Sequence, residues 1–418
     1  MRIHLDYGLR QMELELPPGC AVLPSQEGLP AAVEDPAEAV QTALEAPLDF
    51  PALRRALTPD DHVAVVVDPD LFQPARLLVP IIEHVQSAQV PLEAITLVCP
   101  PSDRSQDWID DLPEHLLDVR VEVHAPQDRR QLSYVAMMRN GRRLYLNRSV
   151  ADADQAVVLS GSNRGGGLGG PSLLFPELSD EATRRQWGEA WAVVRGPWAV
   201  RRDANAPLPT AHGPRNLQSR QSEIQDAVWL LGAPFFVHVI EGLGDAVAAV
   251  IAGMPDTTER VRELADARWS IEAREPVHSV IAAVSGTPSG HDWGVLARAA
   301  TTAARLVQEG GRIVLVTDAK PAMTEAFGML RQAETPDDAL TLLRRNDAPG
   351  HDAAQAWAAA ANHARIFLVS DLPADTVEEL HAAPIENARQ VARLVESQRS
   401  CLVLRDAHKV ELADQVLS

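Results

Sequence analysis

Ala156-Val157-Val158-Leu159-Ser160-Gly161-Ser162-Asn163-Arg164-Gly165-Gly166-Gly167-Leu168-Gly169-Gly170-Pro171-Ser172 is the stretch on which the reading of the fold turns. Its first four residues have the length and branching of a buried strand, and a glycine-rich loop follows at once. Glycines in that number admit positive φ or let a second body approach the backbone closely. After a strand of an α/β protein that body is often a ligand, although an exposed connecting loop would have the same composition. The loop is no common phosphate cradle. It lacks the Gly-Lys-Ser/Thr ending of a nucleotide triphosphate loop, and no acidic residue closes a second strand about 20 residues beyond its Gly-x-Gly-x-x-Gly.

Working outward, the run His62–Asp68 reads as a buried parallel strand, Leu77–Ser87 as its crossover helix and Ile95–Cys99 as the next strand, a βαβ unit. Met1–Leu16 predicts two strands turning at Tyr7-Gly8, and Ala37–Ala46 a helix entered at Asp35-Pro36. Val119–His124 is a strand, and Asn140-Gly141 turns a hairpin between Tyr134–Met138 and Arg143–Asn147. Beyond the loop, Ser179–Trp191 reads as helix, Arg195–Arg220 as an irregular excursion, Gln221–Leu231 as helix, Phe235–Ile240 as strand and Thr257–Ala267 as helix. A composition break at Glu272–Val277 opens a second alternation: strands at Ser279–Ser285, Arg312–Thr317, Arg365–Ser370 and Ser400–Leu404, helices at Val295–Gln308, Ala353–Asn362 and Ile385–Ser397. The prediction is two tandem α/β domains, 1–272 and 273–418, with mostly parallel sheets and a cleft between them lined by strand C-termini.

The 418 residues are 46% apolar, enough for two or three cores, and carry a net charge of -20. That charge argues against nucleic acid and anionic membranes as partners, because both demand a basic face. Cys20, Cys99 and Cys401 form no disulfide framework or metal knuckle. Met1–Asp6 has no signal-peptide core, and no apolar run nears the roughly 20 residues of a membrane span. The expected setting is cytoplasmic. Lys320 and Lys409 are the only lysines. His62, His84, His115 and His124 show no metal spacing, so no metal is assigned from spacing.

Candidate ligand contacts are the residues just past the strand ends. Asp68 could fix a ligand hydroxyl, act as a base, or cap the turn with Pro69. Asp103-Arg104 offers an anion clamp or a solvated ion pair. Arg164 could bind a carboxylate or phosphate, or stand exposed. Ser285-Gly286-Thr287-Pro288 and Asp318-Ala319-Lys320 complete the set.

Taken together, the pattern resembles the nickel-pincer lactate racemases and their relatives. The residues that carry the likeness are Val66-Val67-Asp68 with Pro74, Asp103-Arg104, Val123-His124, Gly141–Arg148 with Ala153-Asp154, and the glycine loop through Gly169-Gly170-Pro171-Ser172 and Pro176. Gly253-Met254-Pro255-Asp256, Ser285-Gly286-Thr287-Pro288 and Gly310–Leu315 extend it into the second half. The resemblance implies two α/β domains around a lysine-tethered, nickel-bound nicotinic acid nucleotide, and reversible hydride removal from a 2-hydroxy acid. It implies as well that Ser172 stands at the tethering lysine, Ser162 at a cleft histidine, Gly188 (beside Trp187) at the nickel-binding histidine and Asp103 at the general-base histidine. Leu71 falls at an arginine, Val295 at a glutamine and Arg298 at a lysine. Tether, metal ligand and base are thus absent together, and the cofactor is not expected here.

The leading expectation is therefore a diverged relative that binds a small carboxylate or nucleotide-like ligand through Arg104, Arg164 and Arg298, with Gly169, Gly170, Ser172 and Lys320 around it and Asp68 on a hydroxyl. One alternative is an active 2-hydroxy-acid racemase or epimerase with an altered cofactor arrangement, in which Asp103 and Asp68 carry the catalysis and Ser172 lies near the cofactor. Another is a scaffold or assembly role.

Overall fold

The computed structural model describes residues 1–24, 31–102, 106–162, 170–187, 214–272, 275–345, 348, 350–396 and 400–412. The chain opens with an antiparallel hairpin, β1 (Arg2–Tyr7) and β2 (Arg10–Glu15), and a short strand β3 (Ala21–Leu23). Then come β4 (Val63–Val67), β5 (Ile95–Cys99), β6 (Arg120–Val123), the hairpin β7 (Leu132–Met137) and β8 (Arg143–Asn147), β9 (Gln155–Gly161), β10 (Phe235–Glu241) and β11 (Val247–Gly253). A two-residue β12 (Ser270–Ile271) precedes β13 (Val277–Ala283), β14 (Val307–Val316), β15 (Arg365–Val369), β16 (Ala382–Pro384), β17 (Cys401–Leu404) and β18 (Glu411–Leu412).

Two six-stranded sheets organise these elements, in the orders β11-β10-β9-β4-β5-β6 and β16-β15-β14-β13-β17-β3. Every pairing in them is parallel except β10 with β11. All five β4 residues are buried, as a strand covered by helices on both faces requires. Val65, Leu97, Val157 and Val237 pack on the side of helices Pro36–Glu45 and Pro74–Gln86, while Val66, Val158 and Phe236 meet Phe175, Trp187 and Val228. Asp35 caps the first of those helices by accepting from Ala37 N at 3.0 Å, with Pro36 at the first helical position. In the second sheet Val280 and Leu315 pack with Leu296 and Trp357, and Ile281 and Val314 with Leu5, Leu14 and Val391.

The N-terminal segment packs with the C-terminal half of the chain. The hairpin β1–β2 lays Leu5 and Leu14 on the second sheet, and β3 extends that sheet by pairing with β17. The first 24 residues therefore share the core of the C-terminal half. Strand β11 escapes the sequence reading because Ala248, Ala249 and Ala252 dilute its apolar signal. Of the predicted irregular excursion, residues up to 213 lie outside the described residues, and its end belongs to a helix, Pro214–Leu230, that starts before the expected Gln221. Among the described residues no helix is long and apolar enough to cross a membrane.

Candidate functional site

Each large sheet reverses its strand order at one place, between β4 and β9 in the first and between β13 and β17 in the second. Parallel strands diverge in connection there, leaving a crevice beyond their C-termini. The second crevice is filled by the chain itself. Asp406, just past β17, accepts from Ser285 N at 2.8 Å and Ser285 Oγ at 2.6 Å. The β1–β2 turn lies over the same end, with Gly286 N donating to Gly8 O at 3.0 Å and Leu9 N donating to Asp318 Oδ2 at 3.0 Å. Gly8 has φ 51°, and a Cβ there would meet the Asp318 carboxylate, so this turn requires glycine.

The first crevice holds the residues singled out by the sequence. Asp68 is fully buried. Its Oδ2 accepts from Gly161 N at 3.0 Å and its Oδ1 from Asp70 N at 2.9 Å, so it closes the turn over Pro69 and ties β4 to β9. In the parallel register Ser160 faces His238, and Ser160 Oγ lies 3.0 Å from His238 Nδ1. Two residues on, Ser162 Oγ donates to Glu241 Oε2 at 2.5 Å. Burial pushes the Glu241 carboxyl above its ordinary range, against the hydrogen bond from Ser162, and pushes His238 down to about 4.

Gly170 is set against this cluster: a Cβ on it would stand 2.6 Å from Ser160 Oγ and 3.0 Å from Phe236 Cδ1. Ser172 follows in the short turn Pro171–Leu174 and is buried. Leu71 is buried, and Trp187 packs edge-on against Phe175 with ring centroids 5.3 Å apart. From the other half, Arg298 on helix Trp293–Leu306 reaches Asp70, with Nη1 3.8 Å from Oδ2, while its buried Nε meets no partner among the described residues. Val295 is buried on the same helix, and Lys320 is exposed. Asp103, Arg104, Arg164, Gly169 and Gly188 lie outside the described residues.

The structure thus brings Asp68, Gly170 and Ser172 to the first crevice and Arg298 to its rim. Sequence reasoning overlooked His238 and Glu241. Their signal was a histidine inside the apolar strand Phe235–Ile240 and an acid at its end. Of the histidines it considered, two are structural, with His124 Nε2 bonded to Ser179 O at 2.9 Å and His84 Nε2 accepting from Arg54 N at 3.0 Å, and His62 and His115 are exposed.

Ser172 carries a hydroxyl, and the buried lysine, Lys409, donates to Gly242 O and Gly244 O elsewhere. Among the described residues no three His, Cys, Asp or Glu side chains are grouped to hold a metal ion.

Two α/β halves with parallel sheets and a cation, Arg298, facing the first switch point from the second half give a lactate racemase-like fold. Residues 7–163 match the family described as the lactate racemase N-terminal domain, so this part of the chain carries that domain. The lactate racemase apoprotein from Thermoanaerobacterium thermosaccharolyticum is similar over 99% of this chain and 100% of its own, with TM-score 0.71 and 14% identity. A structural-genomics protein from Thermotoga maritima is similar over 92% of this chain and 100% of its own, with TM-score 0.61 and 13% identity. At these identities the likeness is one of fold. No curated protein matches the sequence.

Proposed function

We propose that this protein is a lactate racemase relative that binds a small carboxylate, such as a 2-hydroxy acid, at the first switch point without the hydride chemistry of the family. The observation that carries the reading is Arg298. Its guanidinium spans the two halves at the rim of the crevice, and a buried Nε without a partner is a donor left for an acceptor such as a carboxylate. Arg104 and Arg164 complete the anion contacts in this proposal, with Gly169, Gly170 and Ser172 forming the loop wall. A reducing, cytoplasmic setting agrees with three free cysteines.

Thermal-shift titration with D- and L-lactate tests the proposal. Saturable stabilisation is expected, about 2.7 kcal/mol at a hundredfold excess over Kd, and Arg298→Ala should remove it. Metal analysis and intact mass are read on the same preparation. Bound nickel, a covalent nucleotide adduct or interconversion of the lactate enantiomers would overturn the reading.

A further inference from the structure

Cys20 and Cys401 belong to opposite ends of the chain, and the second sheet makes them neighbours. β3 pairs with β17 in parallel, Ala21 with Leu402, Val22 with Val403 and Leu23 with Leu404, so one step back along the ladder sets Cys20 beside Cys401. Alternation then decides whether the two side chains share a face. They do: Cys20 and Val22 pack with Cys401 and Val403 on the side of the β1–β2 hairpin, while Ala21 and Leu23 pack with Leu402 and Leu404 on the other. Neighbouring strands run about 4.7–4.9 Å apart, inside the Cα separation of about 4.4–6.8 Å that a disulfide spans. The two thiols are also hydrogen-bonded to each other. That bond holds Cys20 below its ordinary value, and together with burial it pushes Cys401 up. Cys20 is half-buried and Cys401 is buried, so the more acidic thiol is the one that solvent reaches.

We propose that Cys20 and Cys401 form a reversible oxidation site that closes to a disulfide on reaction with hydrogen peroxide, fastening β3 to β17 and the N-terminal hairpin to the C-terminal half. The Cys20 thiolate attacks one peroxide oxygen; the O–O bond breaks, leaving a sulfenic acid on Cys20 and a hydroxide that takes up the proton Cys20 gave away. Cys401 sulfur then attacks the sulfenic sulfur, the S–O bond breaks, and the Cys401 proton leaves with the hydroxyl as water. Two thiols have lost two hydrogens and one peroxide has become two waters. A small dithiol reverses the step by exchange. Cys99 takes no part. It lies on β5 of the other sheet, where burial pushes its thiol up to about 11.

The test treats the reduced full-length protein with hydrogen peroxide, blocks remaining thiols with iodoacetamide in denaturant, and maps the digest by mass without reductant. The expected product is the Cys20 peptide joined to the Cys401 peptide with the loss of two hydrogens, Cys99 alkylated, and the link removed by dithiothreitol. The link should form at least about tenfold faster in the folded protein than in urea, where a very long loop must first close. Cys20→Ser changes only the half-buried position and should leave Cys401 a thiol that alkylates fully after peroxide. Three results would overturn the proposal: Cys401 still fully alkylated in the treated wild type, a link that forms as fast in urea, or Cys401 oxidised at an unchanged rate in Cys20→Ser. Lactate binding at the Arg298 rim is read in a separate titration, so neither result decides the other.

Discussion

In the unfolded chain the His238 imidazole takes up a proton near its ordinary value of about 6.5, and inside the fold burial pushes that down to about 4. Between those values the unfolded state binds the extra proton, so stability falls as pH is lowered through the window and levels off below it. His84, His124 and His291 are pushed down by burial too, so the acid limb of the whole protein is composite. Glu241, raised by burial, acts in the opposite sense. The difference between wild type and His238→Phe isolates the one residue: across pH 6.5 to 4 the variant should lack a slope of up to about 1.4 kcal/mol per pH unit. Urea unfolding at a series of pH values measures it, and parallel stability curves would show that His238 titrates normally. The same residue marks what the sequence concealed. Serines at 160 and 162 look like loop entry in one dimension, and only the parallel register sets Ser160 against His238, 78 positions away. Gly170 was legible as a glycine with a reason, but the reason is space beside Ser160 and Phe236, at an ordinary helical backbone (φ -54°).

Among the elements, long and uniformly apolar strands were readable because burial on both faces leaves no alternation to interpret. β4 and β5 follow that rule, as do the cores of β9 (Ala156–Leu159), β13 (Val280–Ala283) and β14 (Ile313–Val316). β3 did not, since three residues carry no periodicity and its partner β17 lies at the far end of the chain. The hairpin β1–β2 was legible as a hairpin, yet its destination was not. Alternation says that one face is covered and does not say by what. That destination has a measurable consequence. Leu5 is fully buried against Ile281 and Val314, so Leu5→Ala should destabilise the protein by about 3 kcal/mol through lost contacts and the cavity left behind. A loss under about 0.5 kcal/mol in urea titration would mean that the hairpin is a detachable flap.

At the scale of the whole molecule, the two switch points are packed differently: the second is covered by the chain's own Asp406, Ser285 and Gly8 turn, and at the rim of the first the buried Arg298 Nε has no partner among the described residues. What joins the halves is the turn between β10 and β11. Asp245 Oδ2 accepts from Thr287 N at 2.8 Å and Thr287 Oγ1 at 2.7 Å, and Asp406 Oδ2 accepts from Gly244 N at 2.6 Å. Lys409 completes the junction, donating to Gly242 O at 2.9 Å and lying 3.6 Å from Asp406 and 5.4 Å from the centre of the Trp269 ring. Sequence attention fell on Lys320 because it follows a buried strand, but Lys320 is exposed and Lys409 is buried. A paired substitution separates their roles. Lys409→Met keeps the aliphatic stem and removes the cation, leaving Asp406 and two carbonyls short of a partner at a cost of about 3 kcal/mol. Lys320→Met should change stability by less than about 0.5 kcal/mol, as exposed substitutions do. Guanidinium unfolding followed by tryptophan fluorescence, to which Trp269 beside Lys409 contributes, reads both, and equal midpoints for the two variants would show that the junction does not depend on Lys409.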